Sequence, residues 1–305
     1  MIMIPNSTTA IEAPKKTLEM YDISECANAN EVLEVMNVGR YTETRIPHIC
    51  DGYKVIKNHN GAPLSIVKNT YEMVQPIEAL AYFDTLREHM GFTYDKAGFL
   101  KGGRRMYINA RLDNLEVPHK DVRKVGDVLE KRISFMTSWD YSCTSKTLLE
   151  LLRQWCSNGC ASWVQDSIFN VKHTKNAGNR IKTALRQATG LKQVIQDLDN
   201  DIALLANTEA NEEQFDKVAR LVFPSDTTAS KNIRDSLASQ FTNERLGAFG
   251  NTAWDVLNAF TAYQTHERTI RETKGSTREE NAFNAQRDSS FARQVRTAIE
   301  EVFAV

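Results

Sequence analysis

From Gly52 to about residue 171 apolar residues fall in short alternating runs, and beyond Gly178 their spacing lengthens to three and four residues and stays there. Period two is the mark of half-buried strands and period 3.6 that of amphipathic helices. This single switch restricts the chain to a strand-bearing first half and a helical second half. In the first half, YKVIK, LSIV and YEMVQ are separated by the turn-forming stretches HNGAP and KNT, and each reads as a strand. PIEALAYFDTLREHM, residues 76–90, changes period. Ile77, Leu80, Ala81, Phe83 and Leu86 share one helical face, and Pro76 stands at the first helical position.

GFTYDKAGFL and RRMYINARL then flank Lys101-Gly102-Gly103, where the glycines supply the positive φ of a tight hairpin turn. KRISFMTSW follows a charged loop as a third strand. TLLELLRQW suits a helix or a buried strand equally, whereas IFNVKH reads as a strand. Ile181, Leu185, Ala188, Leu191, Ile195 and Leu198 predict an amphipathic helix over 178–199. Further helices are expected at about 212–222, 230–247, 251–268 and 277–303. The expected fold class is α+β: an antiparallel β-hairpin sheet with packed helices, followed by a helical C-terminal half. Residues 1–45 are expected as a loosely ordered arm, 46–200 as the α+β domain, and 201–305 as a helical region packed on it.

The chain of 305 residues carries a net charge of only −1, so any anionic partner must be met by a local patch. One such patch is conspicuous. Between Ser167 and Gln196 stand Lys172, Lys175, Arg180, Lys182, Arg186 and Lys192, with His173 and no Asp or Glu. Lys182 and Arg186 lie four apart, away from the apolar face, where like charges cost an isolated helix a few tenths of a kcal/mol. A second acid-free cluster, Lys96, Lys101, Arg104, Arg105 and Arg111, lies on the hairpin with Phe99 and Tyr107 interleaved. Cations alternating with aromatic rings suit single-stranded nucleic acid, whose phosphates need neutralising and whose unstacked bases need platforms. The bland alternative is a solvated charged face balanced by the acidic stretch from Asp197 to Asp216, with Phe99 and Tyr107 in the core.

Catalytic chemistry finds little support. The six histidines are scattered, no phosphate loop or HExxH motif occurs, and Asp51, Glu72, Asp84 and Asp140 have nothing that groups them. No catalytic, cofactor-binding or metal-binding residue is assigned, and a metal-dependent nuclease ranks last among the readings. Five cysteines, an odd number with Cys156 and Cys160 off zinc-knuckle spacing, read as free thiols in a reducing cytoplasm. The N-terminal residues lack the pattern of a secretory signal, and no window approaches the ~18 apolar residues of a membrane span.

The most distinctive string is GNTAWDVLNAFTAYQTH, residues 250–266. Asn251 or Thr252 can cap a helix whose inner face carries Ala253, Trp254, Leu257, Phe260 and Thr261, with Asn258 beside them. Thr252-Ala253-Trp254, Asn258-Ala259, Thr261, Tyr263 and His266 resemble the C-terminal signature of the phage/plasmid-like family known as domain of unknown function 932. Gly61, Pro63-Leu64, Tyr71, Val74-Gln75, Gly102 to Arg105, Cys156 with Asn158, and His173-Thr174 with Arg180 resemble its other motifs in the same order. The resemblance favours a strand for TLLELLRQW. It supplies no catalytic residue. It implies a setting in phages, prophages and conjugative plasmids, near DNA replication, recombination or anti-defence genes, hence the cytoplasm of a bacterial host cell.

Together these features lead to the expectation of a non-enzymatic nucleic-acid-binding protein, favouring single-stranded DNA and working in replication or recombination in an annealing-like way. Lys101, Arg104 and Arg105 on the hairpin are expected to meet phosphates. Lys172, Lys175, Arg180, Lys182 and Arg186 form a second wall, and Tyr107 is the expected stacking ring. A homo-oligomer is compatible with this reading, and no membrane partner is expected. The rival is an interaction protein that blocks a host defence or restriction system, its acidic 197–216 stretch mimicking DNA.

Overall fold

The computed structural model describes residues 18–46, 51–112, 128–156, 159–164, 169–176, 179, 191–242, 251–273, 276–286 and 289–304. The chain is α+β, with antiparallel sheets in the first half and helices in the second. The expected arm is structured from residue 19 onward. Glu19–Asp22 (β1) pairs along Lys96 to Phe99, Ala29–Val35 (α1) is capped by Asn28, and Thr42–Arg45 (β2) joins a small sheet. Burial explains the difference: Ile23, Val32, Met36 and Tyr41 all enter the main core.

That small sheet has the order β2, Tyr53–Lys57 (β3), Pro63–Lys68 (β4), all antiparallel. YEMVQ, expected as a strand, forms none. The Tyr71 amide turns back onto the Lys68 carbonyl, and the Glu72 amide donates to the His173 carbonyl, so neither edge is left for a ladder. Pro76–Met90 (α2) follows with the predicted bounds. Gln75 and Glu78 form a capping box, and Gly91 closes the helix at φ 69°.

The hairpin runs from Thr93–Leu100 (β5) to Arg105–Arg111 (β6), and Val128–Ser138 (β7), Ser145–Cys156 (β8) and Phe169–Val171 (β10) extend the sheet. Gly159–Val164 (β9) branches from β8 beyond β10, and β1 closes the opposite edge. TLLELLRQW is a strand. Residues 101, 102 and 103 turn the hairpin with φ values of 55°, 62° and 85°, the left-handed region that glycine enters freely. Gly98 has another reason to be glycine, because a Cβ there would lie 1.9 Å from the Glu19 carbonyl oxygen and abolish the docking of β1.

Helix α2 packs on one sheet face. The Phe83 ring lies 5.0 Å from that of Phe92 and 6.2 Å from that of Phe135, over Ile108, Ile133 and Leu149. The helical half comprises Leu191–Asn207 (α3), Glu212–Val222 (α4), Thr228–Phe241 (α5), Ala253–Ala262 (α6) with a π-helical turn at Tyr263–Glu267, Arg278–Gln286 (α7) and Ser289–Phe303 (α8). Of the helix expected at 178–199, residues 178 and 180–190 lie outside the described residues. The described part continues to Asn207. Of the long helix expected over 277–303, Arg278–Gln286 and Ser289–Phe303 are helical, and residues 287–288 lie outside the described residues. Helix α6 is buried from Ala253 through Thr261, with Thr252 and Asp255 in a capping box, so the signature string is the centre of the helical bundle. Among the described residues no helix is long and apolar enough to cross a membrane.

One ion pair ties the halves together. The Lys131 ammonium of β7 donates to Asp199 of α3 at 2.6 Å, with both residues buried. Burial pushes the Lys131 pKa down against the pull of its partner. Removing one member leaves the other charged and unpaired, so Asp199→Ala is expected to cost about 3–5 kcal/mol in urea unfolding. The double variant Lys131→Met, Asp199→Leu should recover most of that loss.

Candidate functional site

Strand register brings the glycine-turned hairpin and the segment after β10 to the same end of the main sheet. Arg105 pairs with Ser138 at the start of β6 and the end of β7, and Ser145 pairs with Val171 at the start of β8 and the end of β10. The hairpin turn and Lys172 are therefore about three strand spacings apart, or ~14 Å. The β7–β8 turn lies between them. Strand β4 runs across this end. Leu64 meets Gly103, the Ser65 hydroxyl donates to the Trp139 carbonyl, and the Lys68 amide donates to the Tyr141 hydroxyl at 3.0 Å.

A buried polar cluster fixes the arrangement. The Tyr71 hydroxyl donates to the Ser138 carbonyl at 2.8 Å, so its oxygen must accept from His173 Nδ1–H at 3.0 Å. This assigns the proton of the neutral ring to Nδ1, and Nε2 accepts from the Ser145 hydroxyl at 3.0 Å. Thr137 stands 2.9 Å from Ser145 and completes the chain. The Tyr71 and His173 rings stack at 5.2 Å with an interplanar angle of 6°. Thr137, Ser138 and Ser145 have no exposed surface. A Ser–His pair at this distance would suggest a nucleophile and its base, but a fully buried serine whose histidine is oriented by a phenol cannot reach a substrate. The cluster holds the sheet end in place.

Nearby side chains complete that scaffold. The Gln75 amide makes both hydrogen bonds to the Tyr41 backbone at 3.0 Å, and the Trp139 indole donates to the Val74 carbonyl at 2.8 Å. Lys175 lines a cleft of about 810 Å³ together with Arg40, Lys54, Tyr41 and Tyr71 and the acids Glu43, Glu72 and Glu78. Lys54 is held by Glu43 at 2.7 Å.

The residues expected to bind nucleic acid divide into three groups. Arg104, Lys172 and Lys175 are exposed and Lys101 is half-buried; among the described residues no ion pair joins any of the four to an acid. Two expectations are overturned. Tyr107 is 1% exposed because the Phe283 ring covers it at 4.5 Å and its hydroxyl reaches the Glu19 carbonyl over Gly98, so it offers no stacking face. Arg105 is 8% exposed, its guanidinium consumed by Asn284 at 2.6 Å and by the Ser142 carbonyl at 3.0 Å. Arg180, Lys182 and Arg186 lie outside the described residues. Arg111 belongs to a separate network, in which Asp95 and Glu130 bind Arg111 and Arg132.

Sequence reasoning missed Tyr141 and Lys68, which meet at this end of the sheet, and Arg40 in the cleft. Only the exposed position of WDYSC in a polar turn could have pointed to Tyr141. Four of the seven acids of the 197–216 stretch are engaged elsewhere: Asp199 with Lys131, Asp201 with Arg296, Glu213 with Lys217 and Asp216 with Arg220. Among the described residues no group of three or more His, Cys, Asp and Glu side chains could hold a metal ion.

The motif positions Leu64, Tyr71, Val74, Gln75, Gly103 and His173, far apart in sequence, thus surround one end of one sheet. The chain belongs to the family described as Domain of unknown function (DUF932), whose model matches residues 63–287. No curated protein and no solved structure matches it.

Burial holds the His173 pKa down at about 4, from an ordinary value of 6.5. The unfolded ring takes up a proton that the folded ring refuses, so this contribution is complete above about pH 6.5 and is lost as pH falls toward 4. The loss amounts to roughly 3 kcal/mol. Thermal melts from pH 7.5 to 4.5 should show a falling midpoint, and the fall should be markedly shallower in His173→Gln, which cannot titrate.

Proposed function

We propose that this chain binds nucleic acid, preferring single-stranded DNA, at the end of the main sheet where the hairpin turn and the segment after β10 lie. The role is non-catalytic and suits replication or recombination, including strand annealing, in a phage or plasmid system. The observation that carries the reading is the set Lys101, Arg104, Lys172 and Lys175. They share one end of one sheet and, among the described residues, none of them is joined to an acid by an ion pair, whereas Asp199, Asp201, Glu213 and Asp216 are paired with other cations. The acid at the hairpin, Glu280, accepts from the Lys101 amide. A cationic surface that the fold does not neutralise attracts a polyanion, and the release of counterions drives binding.

The inhibitor reading draws less support, because four of the seven acids that would mimic DNA are engaged by Lys131, Arg296, Lys217 and Arg220. Fluorescence anisotropy with a labelled oligothymidylate should detect binding that weakens steeply as salt is raised from about 50 to 200 mM. Lys172→Glu with Lys175→Glu should weaken it by at least about tenfold and flatten the salt slope, with the melting temperature unchanged. Undiminished binding by that double variant would remove the proposal.

A further inference from the structure

With Tyr107 buried, the proposed interface has lost its expected base platform, and the β7–β8 turn offers another. Tyr141 sits at the tip of that turn and is 55% exposed. Its φ is +62°, a left-handed conformation that a large side chain adopts only when its surroundings impose it. The turn is braced on both sides of it. Asp140 accepts from the Ser142 amide at 2.9 Å, and the Ser138 hydroxyl donates to the Cys143 carbonyl at 2.7 Å. The phenol is fixed as well: its hydroxyl accepts from the Lys68 amide, and its ring meets the Tyr71 ring edge-on at 4.9 Å. These contacts hold the ring at the surface without covering it.

Lysines stand on more than one side of it. Lys68 is exposed at the edge of β4, Lys172 adjoins His173, on which Tyr71 stacks, and Lys175 lines the cleft that Tyr71 also lines. The nearby acids are Asp140, which accepts from the turn, and Glu43, Glu72 and Glu78, which line the cleft; Glu43 is bound to Lys54 and Glu78 caps α2. Tyr53, directly across the strand pair from Lys68, is exposed too. An immobilised ring flanked by lysines fits an unpaired base with its phosphates on either side, and a duplex, whose bases are already stacked, has no face to offer it.

We infer that Tyr141 is the base-stacking platform that gives this surface its preference for single strands, with Lys68 and Lys172 on the flanking phosphates. The inference rests on the nucleic-acid reading above. It explains why a bulky residue is held at positive φ with its ring exposed.

The test compares the intact chain with Tyr141→Gly, which removes the ring and suits the backbone, and Tyr141→Phe, which keeps the ring and loses the hydroxyl. Anisotropy is read on an oligothymidylate and on a duplex of matched length. Tyr141→Gly should lose about tenfold in single-strand affinity, one stacked base, with duplex affinity unchanged, while Tyr141→Phe stays near the parent. Equal binding by Tyr141→Gly and the parent, or an equal loss on both ligands, overturns the inference. Failure of the parent to bind either ligand at low salt overturns the nucleic-acid reading itself. Photocrosslinking of the parent to a 5-iodouracil-bearing strand supplies a readout independent of the folding of any variant. An adduct on Tyr141 supports the inference, and adducts confined to other residues overturn it.

Discussion

The imidazole of His173 is excluded from water and yet has both nitrogens bonded, and meeting that requirement draws four separate stretches of chain to one point. Tyr71 comes from the link between the small sheet and α2, Thr137 and Ser138 from the end of β7, Ser145 from the start of β8, and His173 itself from the segment after β10. A buried polar group without a partner costs about 1–3 kcal/mol, so none of the four can withdraw without leaving another exposed to that penalty. The surface residues depend on this arrangement. Lys172 and Lys175 flank His173 in sequence, and Tyr141 rests against Tyr71.

Charge is distributed by the same logic. The chain is nearly neutral, but its charges are sorted into two populations. Some are paired, Lys131 with Asp199 in the interior, Arg111 and Arg132 with Asp95 and Glu130 on the sheet, and Arg296 with Asp201 between α3 and α8. Arg105 is satisfied by neutral acceptors. At the sheet end, Arg104, Lys172 and Lys175 stay in solvent. A chain whose stability needed every cation paired would not leave them there, since Asp199, Asp201, Glu213 and Asp216 lie on α3 and α4 and bind cations of the helical half and β7.

Much of the architecture could be read from residue patterns. Alternation marked the strands, Lys101-Gly102-Gly103 the hairpin turn, and Pro76 the start of α2, because each rests on local geometry within a few residues. YEMVQ alternates as a strand would and forms none, because its hydrogen-bonding groups are claimed by Lys68 and His173. Tyr107 failed for a related reason. Alternation says that a residue leaves one sheet face, and it cannot say whether Phe283, far along the chain, will cover that face.

By itself the sequence determined the passage from a strand-bearing half to a helical one, the α+β class, the helical bundle around Trp254 and the excess of cations before Gln196. These follow from periodicity and composition, which act over short range. Only the tertiary structure decided which cations are spent on Asn284 or on acids and which face water. It also decided that an unremarked tyrosine in the β7–β8 turn lies beside Lys68. Exposure and pairing depend on which distant surfaces meet, and that is set by how whole elements bury one another.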